Sequence, residues 1–86
     1  METTEVQRRI EAGLPGAQVT VTGDGSHFQA QVVSEAFEGK SPVQKQKMVY
    51  ATVNDAITSG ELHALTIKAY TPEQWAQASK MQVGSA

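Results

Sequence analysis

Residues 17–34 read AQVTVTGDGSHFQAQVVS, and their pattern decides the fold. Val19 and Val21 alternate with Gln18, Thr20 and Thr22, the two-residue period of a strand that buries one face. Phe28, Ala30 and Val32 alternate with His27, Gln29 and Gln31 in the same way. Between the two runs stands Gly23-Asp24-Gly25-Ser26, a turn whose glycines accept backbone angles that other residues resist. Strands over 17–22 and 27–34 joined by four turn residues predict an antiparallel hairpin.

On the N-terminal side, Val6, Ile10 and Leu14 recur every four residues and predict a helix over 4–13. Thr3 or Thr4 is the expected cap, and Gly13, Pro15 and Gly16 end the helix. On the C-terminal side, Ser34-Glu35-Ala36-Phe37 predicts a short helical turn capped by Ser34. Ser41 followed by Pro42 opens a long helix, expected from 42 to 58. Its apolar stripe is Val49, Val53, Ala56 and Ile57, with Val43 and Tyr50 at the edges, and Ser59-Gly60 ends it.

A third strand is expected over roughly 62–69, with Leu65, Ile67 and Ala69 on one face. Thr71 and Pro72 then start a last helix that carries Trp75, and residues 81–86 read as a flexible C-terminal tail. The order is α-β-β-α-β-α, an α+β class. A crossover of about 28 residues is long enough to lay the third strand parallel to the second. The result is a three-stranded mixed sheet with helices on one face. The core-facing sets are the even positions of strand two and the odd positions of strands one and three.

Composition narrows the function. The chain has 86 residues, enough for one domain, with 40% hydrophobic and 19% charged residues, a globular mix. Its net charge is −2, against the basic excess of proteins that grip nucleic acid through phosphates. It contains no cysteine, so it forms no disulfide and offers no thiolate to a metal. Its apolar runs fall far short of the roughly 20 residues that span a bilayer. The start, Met1-Glu2-Thr3-Thr4-Glu5, lacks the basic and apolar segments of a secretion signal, which points to the cytoplasm. No nucleophile elbow, phosphate loop or metalloprotease spacing occurs, so the expectation is not an enzyme.

Two histidines carry the candidate chemistry. His27 opens strand two and His63 opens strand three. Parallel neighbouring strands bring their starts to one edge of the sheet, where the two imidazoles could stand close. Neutral imidazole ligates iron and zinc, and histidine replaces cysteine on one iron of some two-iron clusters. Two ligands do not complete a site, so a partner must supply the rest. His63 also shares the parity of Leu65 and Ile67, which allows a capping role at the sheet edge. Lys40, Lys45 and Lys47 form a basic group at the start of the long helix, read as a solvated surface or as phosphate contacts. Lys45 and Lys47 lie about 200° apart around a helix and do not share a face. Tyr50 and Trp75 are read as core or rim residues.

Four segments, in order, carry a family likeness. They are Thr22–Phe28, Val33–Gly39, Val43–Tyr50 and Leu62–Pro72, the last reading Leu-His-Ala-Leu-Thr-Ile-Lys-Ala-Tyr-Thr-Pro. The chain resembles the BolA family across about residues 5–77. The glycine turn with histidine and the Lys-Ala-Tyr-Thr-Pro-Glu-Gln-Trp end are similar to the IbaG branch.

The resemblance implies a fold similar to a type II KH domain, formed by residues 1–80 as a single unit. It implies a monothiol glutaredoxin as partner. A [2Fe-2S] cluster would be shared between glutaredoxin cysteine, glutathione and ligands of this chain, with none bound by this chain alone. The family's strand-three histidine falls on His63, and its turn-region ligand, histidine or cysteine by branch, falls on His27. The free chain is expected to be a monomer or weak homodimer, with no membrane association. The KH likeness also implies an alternative, a DNA-binding transcriptional regulator acting through Lys40, Lys45 and Lys47. The corresponding loop, Glu38-Gly39-Lys40-Ser41-Pro42, lacks the Gly-x-x-Gly motif with which KH modules clamp a backbone.

Overall fold

In the computed structural model, Val19 and Val21 are buried while Gln18, Thr20 and Thr22 are exposed, so the first strand presents the face its alternation requires. The structure describes residues 2–24 and 27–84, with side chains to Ser79; Gly25 and Ser26 of the hairpin turn lie outside them. The elements run α1 (Thr3–Gly13), β1 (Gln18–Gly23), β2 (His27–Val33), a short 3-10 turn (Glu35–Phe37), α2 (Pro42–Thr52), α3 (Asn54–Ser59), β3 (Ala64–Tyr70) and α4 (Pro72–Gly84). The sheet order is β1-β2-β3, with β1 antiparallel and β3 parallel to β2. The class is α+β with a three-stranded mixed sheet, as expected.

Parity holds on all three strands except at Val33, an odd position of β2 that is also buried. Val19, Val21, Phe28, Ala30, Val32 and Ile67 enter one core cluster, with Leu65 and Ala69 packed against it. Val6 and Ile10 of α1, Val49 of α2 and Val53 just beyond it close that cluster, each fully buried. The 3-10 turn adds Phe37, also fully buried. Burial of one such ring contributes about 1.5–3 kcal/mol, which explains how a three-residue element holds its place. Ser34 fixes the turn by accepting the Ala36 N–H at 3.1 Å.

The helix expected over 42–58 is broken at Val53. Its start is as predicted: Ser41 Oγ accepts from Gln44 N, and Gln44 Oε1 accepts from Ser41 N, a reciprocal cap. The break shows in the hydrogen bonds. In a continuous α-helix Val53 N–H would donate to Val49 O. The Thr52 hydroxyl instead donates to Val49 O at 2.6 Å, and Val53 N turns to Tyr50 O at 3.1 Å. The chain resumes as α3. Ile57, expected on the apolar stripe, is 37% exposed, and Leu62 is buried in the core.

Three further boundaries differ. Thr3 and Thr4 lie within α1 and do not cap it; Glu2 holds the cap position, with no side-chain bond. β3 begins at Ala64, so Leu62 and His63 precede it. α4 continues to Gly84, through residues 81–84 assigned to the tail, while 85 and 86 lie outside the described residues.

α2 also braces the outer strand. Gln46 Nε2 donates to Ile67 O at 2.9 Å and Tyr50 Oη to Leu65 O at 3.2 Å. The two side chains are four residues apart, one helical turn, and the two carbonyls two apart, one strand period. Backbone acceptors on the free edge of β3 are thus met by side chains of the same molecule.

Candidate functional site

The hairpin turn positions His27. Asp24 Oδ1 accepts the His27 backbone N–H at 2.9 Å, and Asp24 N donates back to His27 O at 3.3 Å. Gly23 permits this close return. A β-carbon there would stand 2.7 Å from His27 O and 2.7 Å from Phe28 Cδ1, nearer than such atoms can approach. His27 is exposed, on the polar side of the sheet opposite Phe28. It borders a shallow depression of about 260 Å³ together with Asp24, Gln29 and Thr66.

His63 is positioned by its predecessors. Gly60 ends α3 with φ 84°, a left-handed conformation that suits glycine. Leu62 then enters the core, its N–H donating to Ala56 O at 3.1 Å. His63 follows as an exposed residue in the strap before β3. Its Cε1 lies 3.9 Å from where a β-carbon on Gly60 would stand, so the imidazole rests over the glycine.

The parallel register sets His27 level with Ala64, one residue past His63. The fold therefore brings both histidines to the same end of the sheet on adjacent strands, but not into one cavity: the depression beside His27 does not include His63. Among the described residues no three His, Cys, Asp or Glu side chains gather as a metal site. A metal held here by both imidazoles would need further donors from another molecule.

The lysines separate. Lys40 and Lys47 are exposed. Lys45 is not the surface residue it was read as: it is 7% exposed, and its Nζ donates to Gln74 Oε1 of α4 at 2.8 Å. Gln74 also caps α4, its Oε1 accepting from Thr71 N at 3.0 Å while Thr71 Oγ1 accepts from Gln74 N at 3.1 Å. Sequence reasoning missed this joint between α2 and α4. One signal was available: Thr71-Pro72-Glu73-Gln74 has capping-box spacing. Trp75 is half-buried at the rim, with its ring centroid 5.4 Å from that of Tyr70. No helix among the described residues is long and apolar enough to cross a membrane.

A hairpin with a histidine after its glycine turn, a crossover to a parallel third strand and a second histidine at that strand's entry define a BolA-type protein. The chain belongs to this family: the BolA-like protein family model matches residues 5–74. Among individual proteins it is similar to the acid stress protein IbaG of Escherichia coli strain K12, at 44% identity over 94% of this chain and 96% of that protein. It is 43% identical to an uncharacterized protein of the rpoN-murA intergenic region of Acinetobacter guillouiae, over 92% of this chain and 95% of that protein. Solved structures agree. A bolA protein homologue from Coxiella burnetii superposes with a TM-score of 0.79 at 32% identity, covering 88% of this chain and 97% of that one. The BolA domain of SufE1 from Arabidopsis thaliana gives 0.73 at 32% identity, covering 83% and 92%.

Proposed function

We propose that this protein is a non-enzymatic adaptor that binds a monothiol glutaredoxin and shares a [2Fe-2S] cluster with it for iron–sulfur trafficking or sensing. The cluster is cargo held between the two proteins, with glutathione completing the ligand set. His63 is the main ligand from this chain and His27 the second, more labile one. The observation that carries this reading is the arrangement of two exposed histidines at one end of adjacent parallel strands. Membership of the BolA-like family supports it, and so does the absence of cysteine, which leaves thiolates to the partner. Action in the cytoplasm, as part of a stress response, belongs to the same proposal; the similarity to an acid stress protein supports the second half.

Co-expression with a monothiol glutaredoxin tests it. Visible absorption and circular dichroism of the purified complex should show a cluster spectrum distinct from that of the glutaredoxin homodimer and altered by His63→Ala. A stable complex with no such spectrum, or no complex, overturns the proposal.

The DNA-binding alternative calls on Lys40, Lys45 and Lys47 together. With Lys45 buried against Gln74, two of the three remain on the surface. We therefore favour the adaptor.

A further inference from the structure

Lys45 is a buried cation that meets no carboxylate among the described residues. The single hydrogen-bond partner of its ammonium there is the neutral amide oxygen of Gln74, already engaged by Thr71 N. The ion pairs among the described residues, Arg8–Glu5 and Arg9–Glu5, both lie on α1. An ammonium has three protons to donate, and a buried charge is costly unless an opposite charge meets it. Beside Lys45 opens a cleft of about 460 Å³ between α2, β3 and α4. Pro42, Ala69, Tyr70 and Ala78 supply its apolar walls, and Lys45 is the one charged residue among its described lining. Its volume falls in the range of small-molecule sites.

We propose that this cleft binds a short-chain organic monocarboxylate, with the acid group on Lys45 and the hydrocarbon against the Pro42, Ala69, Tyr70 and Ala78 wall. A single cation in apolar surroundings matches a monoanion with an apolar body. A dianion such as phosphate would leave one charge unmet in the same surroundings. The cleft is at the Ala69–Tyr70 end of β3, whereas His63 precedes its other end. At about 3.3 Å per residue the two ends are roughly 20 Å apart, so the site is independent of the histidines and of the adaptor reading.

The test is a two-dimensional nitrogen–proton NMR titration of the full chain with sodium hexanoate, with hexanamide and inorganic phosphate at matched ionic strength. Hexanoate should give saturable millimolar shifts at Gln46, Ala69, Tyr70 and Gln74, at least about tenfold tighter than hexanamide, with none from phosphate. Lys45→Met should keep hexanamide binding and lose the preference for the acid, while Lys45→Arg retains it. Should Lys45→Met fail to fold, the wild-type acid-to-amide ratio still decides, falling as sodium chloride is raised. Equal binding of acid and amide, shifts centred elsewhere, or stronger binding of phosphate would overturn the proposal. So would an acidic peptide that binds there tenfold more tightly than hexanoate, by transferring the site to a protein partner.

Discussion

His27 stands level with Ala64 across the parallel β2–β3 ladder, so His63 enters one residue ahead of that level, on the strap that leads into β3. The two imidazoles are thus carried by different kinds of backbone, a hairpin turn pinned by Asp24 and a segment anchored by Leu62. Both are exposed, and replacing either should change folding stability by no more than about 0.5 kcal/mol. His63→Ala is expected to remove most of the cluster signal of the glutaredoxin complex, and His27→Ala to shorten its lifetime. Neither should prevent association of the cluster-free proteins. Visible circular dichroism and size-exclusion chromatography of the parent and the two variants, each with glutaredoxin, check this.

Acid should release the cluster. An imidazole ligates only when neutral, so protons compete with iron for the same nitrogen. Cluster retention in the complex is expected to fall as the pH is lowered, with the far-ultraviolet spectrum of this protein unchanged. Retention that stays flat down to the pH at which the protein itself unfolds contradicts histidine ligation.

Gly23→Ala probes the turn. Its added methyl must displace either the His27 carbonyl or the Phe28 ring, and both belong to the β2 backbone and core. A cost of about 2 kcal/mol is expected in urea unfolding, with amide shift changes concentrated at residues 22–28. A variant as stable as the parent would show that the turn relaxes freely.

Gln44 and Gln74 occupy the same position in two capping boxes, and only Gln74 also receives a lysine. Gln44→Ala should cost about 0.5–1 kcal/mol. Gln74→Ala should cost about 2 kcal/mol, because it also leaves the Lys45 ammonium without its acceptor. The difference between the two should vanish in a Lys45→Met background, which urea denaturation of the four chains would measure.

The strands were legible because alternation is a short-range signal and each strand buries one face. Ser34, Ser41 and Thr71 were legible as caps because side chain and backbone donor lie within three residues of each other. The break at Val53 was not legible. It shows in the Val53 N–H bonding Tyr50 O in place of Val49 O, a detail that residue spacing does not record. The exposure of Ile57 and the burial of Leu62 were not legible either, because the expected stripe assumed one unbroken helix through residue 58. Lys45 was assigned to solvent because lysine is rarely buried, and its partner lies twenty-nine residues away. For the histidines, strand order was enough to bring them to one end of the sheet. That the depression beside His27 leaves out His63 was not legible, since strand order does not record where the side chains stand.

The bracing of β3 by Gln46 and Tyr50 has a consequence for how recognition can evolve. A partner arriving at that edge finds its Leu65 and Ile67 carbonyls already engaged, so it must read side chains instead of joining the sheet through them. Specificity then resides in residues that can be exchanged singly while the scaffold stays intact. A lineage can trade one interlocutor for another by surface substitution, at little risk of uncontrolled strand pairing along that edge.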